Sequence, residues 1–285
     1  HTLGRQRFHC WKKGGHGRLD LTGAIRQSCD VYFYKIAEQI DVDDIANMAN
    51  RLGLGLTHDI SLDGQRSGLV PTKEWKRLYR NEAWQGGDTL NVAIGQGATL
   101  ATPLQLAVMC ARIATGRAVT PRLVLPEQDG PLAAAAPLAR AQFFETLDVN
   151  PLHLDVVRTG MAQVVLPGGT AILRGRKRGD ITRAGKTGTA QVRRISKDER
   201  ATGVLDNEEL PWQSRDHALY VGFAPVEAPR YAVSILVQHG GSGSRAAAPL
   251  GQKILDEVVR LDSVPDEAPA ETSSQRVVAQ RVERE

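Results

Sequence analysis

Lys186-Thr187-Gly188-Thr189 sets an ammonium, two hydroxyls and a glycine on consecutive positions. On a strand at the rim of a cleft, the ammonium supplies positive field and the hydroxyls bind a substrate carboxylate. The glycine lets substrate backbone lie against the strand. Gly185-Lys186-Thr187 also closes the pattern of a phosphate loop. That loop requires glycine where Asp180 stands, and a helix where the sequence after Thr187 is β-rich, so the nucleotide reading is set aside. A second group, Ser28-Cys29-Asp30, offers a hydroxyl and a carboxylate two residues apart. These could relay a proton, and they would serve equally well as caps where two helices meet. A third, Cys10, His16 and Cys29, offers borderline-soft donors; its Cys-x5-His spacing suits Zn²⁺ but matches no finger pattern. The alternative is three unconnected structural residues. Cys110, on an apolar helix face, reads as core.

The elements that must position these groups are helical first and extended last. Thr22 is expected to cap a short helix through Gln27, and Asp30 a second that carries Phe33, Ile36, Ala37 and Ile40 on one face. Asp43 caps a third, stopping near Gly53-Leu54-Gly55. Thr102-Pro103 opens a helix running to Gly116, and another spans about Leu152 to Leu166 before Pro167-Gly168-Gly169. The period then changes: Thr187 to Val192, His217 to Ala224 and Arg230 to Gln238 read as strands of one antiparallel sheet, closed by a helix from Arg245 to Arg260. This order predicts an α+β fold, a helical part plus an antiparallel sheet covered by helices. Gly130 to Ala139 reads as a surface excursion. From Asp262 to Glu285 there is no Leu, Ile or aromatic residue, so residues 1–261 are expected to fold and 262–285 to form a disordered tail.

With 41% hydrophobic and 24% charged residues among 285, the chain has ordinary globular usage and enough length for a sizeable core. No apolar run approaches the ~20 residues of a spanning helix. The net charge of +4 does not by itself indicate nucleic acid. The basic cluster at Arg174, Arg176, Lys177, Arg178 and Arg183 lacks interleaved aromatics and reads as a solvated loop or a local patch for an anionic substrate. The start at His1, without Met or leader, suggests a processed product or a piece of something longer.

Several motifs follow one another along the chain: Ser28-Cys29-Asp30; Gly95-Gln96-Gly97 with Ala101-Thr102-Pro103; Gly160-Met161 with Gly169-Thr170-Ala171; Lys186 to Gln191; and His217 to Pro225. Over about Phe8 to Arg260 this series resembles the transpeptidase domain of class B penicillin-binding proteins. Trp11-Lys12-Lys13-Gly14-Gly15-His16-Gly17 makes it most similar to the elongation-specific members of that family. The resemblance implies a penicillin-binding, serine β-lactamase-like fold, incomplete at its N-terminus. It implies a D,D-transpeptidase that cross-links peptidoglycan stem peptides by serine acyl transfer, is inhibited by β-lactams and requires no cofactor for catalysis. A domain facing the periplasm from the bacterial inner membrane follows, with a RodA-type glycan polymerase and an MreC-type scaffold as partners and no nucleic acid. A D,D-carboxypeptidase or β-lactamase-like hydrolase shares these motifs, and a non-catalytic binding module of the same fold is a further alternative.

Carried over by motif, the resemblance makes Ser28 a proton relay to the leaving amine, with Asp30 in the same motif. Lys186, Thr187 and Gly188 form the next motif; the hydroxyls of Thr187 and Thr189 would hold a terminal carboxylate, and the Thr189 N–H would be an oxyanion donor. The family's Ser-x-x-Lys is missing: Ser28 meets Val31, Ser61 meets Gly64, Ser67 meets Val70 and Ser196 meets Glu199 at the Lys position. The expectation is that the chain starts after that segment, without anchor or non-catalytic domain, and is inactive alone. The resemblance also implies a zinc-like site near Cys10, His16 and Cys29, with Asp where Cys10 stands and a further ligand upstream of His1.

Overall fold

The computed structural model describes residues 1–123, 144–172, 181–193, 199 and 203–262. A two-stranded hairpin, β1 (Thr2–Leu3) and β2 (Gln6–Arg7), precedes helices α1 (Leu21–Gln27), α2 (Asp30–Ala37), α3 (Val42–Arg51), α4 (Lys73–Arg80), α5 (Gly86–Ala93), α6 (Pro103–Thr115) and α7 (Pro151–Val164). The sheet follows as β3 (Ala184–Ala190), β4 (His217–Ala224) and β5 (Tyr231–Val237), and α8 (Ala248–Asp262) closes the fold. The α+β expectation holds.

Caps explain where the helices begin. Thr102 Oγ1 accepts from the Gln105 N–H at 3.2 Å and Gln105 Oε1 accepts from the Thr102 N–H at 2.9 Å. With Pro103 in the first turn and Gly116 left-handed at φ 69°, α6 starts and stops where the sequence indicates. Three expected caps move. Asp20, not Thr22, caps α1, its Oδ1 accepting from the Gly23 N–H at 2.7 Å, while Thr22 sits in the first turn. Cys29 precedes α2 without a side-chain cap bond, and Asp30 is the first helical residue, its carboxylate engaged elsewhere. Asp41 caps α3 through the Asp43 N–H, and the Asp43 carboxylate accepts from the Lys73 N–H instead. At α1 and α3 two acceptors stood close enough to compete, and the more N-terminal one took the helix end; at α2 no side chain caps. Helices α4 and α5 were not expected: the apolar face of α4, with Trp75, Leu78 and Tyr79 at three-to-four spacing, buries no residue, and α5 opens on Gly86-Gly87.

The sheet is antiparallel in the order β3-β4-β5, with Lys186 opposite Val221 and Thr187 opposite Tyr220. Strand β3 begins three residues before the expected Thr187 and stops two before Val192, because pairing with β4 runs from Ala184 to Ala190. Helix α1 packs on α7, α6 lies on β4 and β5, and α8 covers the same two strands. Ile25, Cys110, Met161, Val164, Tyr220 and Phe223 meet in the resulting core. Cys110 is fully buried, as its helix face implied, and burial pushes its thiol up to about 12.

Two expectations change at the surface. Arg183 does not belong to a solvated basic loop, for it is buried and paired with Asp256. Asp262 is the last residue of α8 and pairs with Arg230, so it belongs to the fold rather than to a tail. The rest of the expected tail, the Gly130 to Ala139 excursion and Arg174 to Arg178 lie outside the described residues.

Tyr220 is wholly buried, and the α8 backbone reaches it through a glycine: a Cβ on Gly251 would lie 2.4 Å from Tyr220 Cδ1 and 3.1 Å from Ile235 Cγ1. Gly251→Ala adds about 1 kcal/mol of helix propensity. Overpacking a fixed ring costs more, so a net destabilisation of about 1–2 kcal/mol is expected in urea unfolding. A stabilised variant would show that α8 is not seated on the ring.

Candidate active site

Helix α1 ends in a backbone turn that few non-glycine residues adopt. Ser28 is left-handed, φ 52° and ψ 54°, and its N–H returns to carbonyls of the last helical turn. The chain reverses there and starts α2 at Asp30, so Ser28 projects at a junction. Its hydroxyl meets β3: Lys186 Nζ donates to Ser28 Oγ at 2.8 Å and to the Thr187 carbonyl at 3.1 Å.

Three further contacts fix the strand that carries Lys186. Thr170 Oγ1 and Thr187 Oγ1 lie 2.8 Å apart, which ties β3 to the turn after α7. Gln96 Nε2 donates to the Thr189 carbonyl at 2.9 Å. Gln96 reaches it from a loop whose glycines, Gly95 and Gly97, have φ of 73° and 76°. Behind the strand, a Cβ on Gly243 would come within 2.2 Å of the Gly188 carbonyl oxygen. That position has to be glycine for the turn before α8 to close on β3.

Burial lowers the Lys186 ammonium to about 8, against the opposing pull of the Asp30 carboxylate. Asp30 Oδ2 in turn accepts from the Trp11 N–H at 3.0 Å. A hollow of about 390 Å³ opens beside this group, lined among others by Trp11, Lys12, Gln27, Thr170 and Ser244. Chemically, the arrangement puts a hydroxyl against a cation at the end of a helix and two threonine hydroxyls along a strand. It can hand a proton to a departing group and hold an anion.

Cys10, His16 and Cys29 also converge. One donor atom from each lies within 4.8 Å of the others, and Cys10 Sγ stands 3.5 Å from His16 Nδ1. In a tetrahedral zinc site a sulfur and a nitrogen ligand are separated by about 3.6 Å, from bond lengths of about 2.3 and 2.1 Å. Burial, followed by Lys12, lowers His16, which favours the neutral imidazole that a ligand needs; burial raises the Cys29 thiol, so its thiolate would form only on binding a metal. His16 Nε2 is buried without a hydrogen-bond partner. Two thiols and a neutral imidazole fit a zinc ion, with one tetrahedral position left for another donor.

The structure therefore brings Ser28, Asp30, Lys186 and Thr187 together and gathers Cys10, His16 and Cys29 beside them. Trp11, Gln96 and Thr170 had no assigned role in the sequence, although each belongs to a motif that drew notice. What they contribute is a contact to another segment, which spacing along one segment does not disclose.

An α+β fold in which a lysine-bearing strand, at the edge of the sheet among the described residues, faces a Ser-x-Asp helix junction is the arrangement that the resemblance to penicillin-binding transpeptidase domains implies. Residues 1–256 match the model of the penicillin binding protein transpeptidase domain. The chain belongs to the penicillin-binding protein transpeptidase family. It is 34% identical over 279 residues to the peptidoglycan D,D-transpeptidase MrdA of Salmonella typhimurium, covering 93% of this chain and 43% of that protein. The Acinetobacter baumannii MrdA is 36% identical over 251 residues, covering 86% of this chain and 36% of that protein. Among solved structures, penicillin-binding protein 2 of Helicobacter pylori, in complex with MreC, has a TM-score of 0.75 at 34% identity, covering 92% of this chain and 44% of that one. Penicillin-binding protein 2 of Pseudomonas aeruginosa has a TM-score of 0.73 at 34% identity, covering 90% and 53% respectively. The chain thus spans less than half the length of the curated relatives it matches.

The Asp30 carboxylate is the group that opposes burial at Lys186. Asp30→Asn is expected to move the lysine titration below about 8, read from the Lys186 side-chain nitrogen resonance against pH. An unmoved or raised titration would remove Asp30 from the electrostatics of the cleft.

Proposed function

We propose that the whole protein carrying this chain is a peptidoglycan D,D-transpeptidase of cell elongation, and that this cleft is its acyl-transfer site. The observation that carries the proposal is the 2.8 Å hydrogen bond from Lys186 to Ser28, which joins the two motifs across 158 residues. The nucleophile comes from a Ser-x-x-Lys segment preceding His1 in the whole protein. Its oxygen attacks the penultimate D-Ala carbonyl of a donor stem peptide, and the terminal D-Ala leaves with a proton relayed through Ser28. An amine of a neighbouring stem peptide then attacks the ester, giving the cross-link and releasing the serine. Lys186 stabilises developing negative charge, the hydroxyls of Thr187 and Thr189 hold the donor carboxylate, and the Thr189 N–H is an oxyanion donor. A hydrolase on the same site would differ only in using water at the second step; analysis of products from stem peptides separates the two.

The supporting likeness extends to partners. The Helicobacter relative is seen with MreC, and a chain from a peptidoglycan synthase complex that coordinates polymerisation and cross-linking has a TM-score of 0.67 at 30% identity. We place this protein with an MreC-type scaffold and a RodA-type polymerase at the periplasmic face of the inner membrane. No helix among the described residues is long and apolar enough to cross a membrane. A structural zinc held by Cys10, His16 and Cys29, with a fourth ligand from upstream, would brace the segment next to Ser28. It takes no part in the reaction.

Lys186→Ala in the whole protein should lower the second-order rate of β-lactam acylation at least tenfold, a loss of about 1.4 kcal/mol. The wild-type rate should fall as pH rises through about 8, because Lys186 then loses its proton and the cleft its positive charge. An unchanged rate in a folded variant would overturn the assignment. The metal is tested separately: the protein purified without chelator should carry about one zinc per chain, and chelation should lower the melting temperature. Substoichiometric zinc with no chelator effect would leave the three donors as structural neighbours.

A further inference from the structure

Trp11 is 61% exposed, yet it spends its hydrogen-bonding capacity on one short segment. Its indole N–H donates to the Gln27 carbonyl at 3.1 Å and to the Ser28 carbonyl at 2.9 Å, and its backbone N–H donates to Asp30 Oδ2 at 3.0 Å. Gln27 closes α1 and Ser28 is its left-handed cap, so both carbonyls lie at a helix end, where acceptors lack an intrahelical donor. The aromatic ring meets His16 with centroids 5.3 Å apart, which holds the indole in place from the other side. Trp11 therefore touches both ends of Ser28-Cys29-Asp30.

We infer that Trp11 is a positioning residue for the acyl-transfer reaction: its indole N–H clamps the left-handed turn at Ser28 so that the serine hydroxyl faces Lys186. The inference rests on the acyl-transfer reading of the cleft. A left-handed serine is an uncommon backbone state that persists only where its surroundings over-determine it. The return bonds of the Ser28 N–H fix the peptide unit before that residue, and the indole fixes the carbonyl of the unit after it. Without the indole, the Ser28 carbonyl is free to rotate toward water, and the hydroxyl leaves the line of the ammonium. A residue that only packed against the loop would be replaceable by any ring of the same shape.

The experiment uses the full-length protein with Trp11 replaced by 3-benzothienylalanine, which keeps the bicyclic ring and puts sulfur where the N–H stood. A second variant carries 7-azatryptophan, which retains the N–H. Fluorescent penicillin is the probe, and its reaction is resolved into non-covalent dissociation constant and first-order acylation constant. The sulfur analogue should lower the acylation constant about tenfold with the dissociation constant within about twofold, while 7-azatryptophan stays near the wild-type value. Equal acylation constants for the sulfur analogue and wild type, or a loss shared by both analogues, would overturn the inference. A lowered melting temperature with unchanged acylation of the folded protein would also overturn it, by showing a purely structural residue. A wild-type protein that is not acylated at all would instead overturn the acyl-transfer reading.

Discussion

The hydrogen bond between Lys186 and Ser28 governs the arrangement of the cleft. An ammonium taken out of water needs acceptors, because burial of an unpaired charge costs several kcal/mol. Here it finds a hydroxyl and a carbonyl, with a carboxylate nearby, and burial still brings it to about 8. Such a balance holds only if both partners are rigid. Strand β3 is rigid through its full pairing with β4, and Ser28 through the turn at the end of α1.

The scaffold around that bond consists of close approaches. Helix α1 meets α7 where a Cβ on Gly160 would stand 2.8 Å from Ile25 Cβ, so the end of α1 is set by the Ile25 side chain lying directly on the α7 backbone. Strand β3 is touched from three directions, by Thr170, by Gln96 and by the Gly243 turn, and none of these contacts is local in sequence. Each is worth only about 1 kcal/mol as a hydrogen bond or a packing contact. Their shared effect is geometric, since they leave β3 one position relative to Ser28.

Much of this was legible in the sequence, and the remainder follows a physical pattern. Helix α6, strand β4 and the Lys186 and Ser28 motifs were found because their signals are local: a capping box, an alternating run, a tripeptide. Caps at Asp20 and Asp41 were displaced because neighbouring carboxylates and hydroxyls compete within one turn, and the winner depends on which is engaged elsewhere. Helix α4 is short and highly charged, its apolar Leu78 and Tyr79 stay exposed, and ion pairs of Lys73 with Asp41 and Lys76 with Asp88 tie it to the rest of the chain in place of burial. In the cleft, the residue types were readable, whereas Trp11, Gln96 and Thr170 act across gaps of 17, 93 and 17 residues that no pattern in one sequence encodes.

The long span between Ser28 and Lys186 also orders events during synthesis. Chains emerge N-terminus first, and the contacts that form early are those with short loops to close, such as the caps of α1, α3 and α6. Among the described residues, the strand partner of β3 is β4, which begins at His217. Until β4 has emerged, Lys186 has no fixed register opposite the turn at Ser28. The cleft is therefore a late product of folding, assembled from a first helix made early and a strand that waits for its neighbour, and a chain halted before β4 carries both motifs without a site.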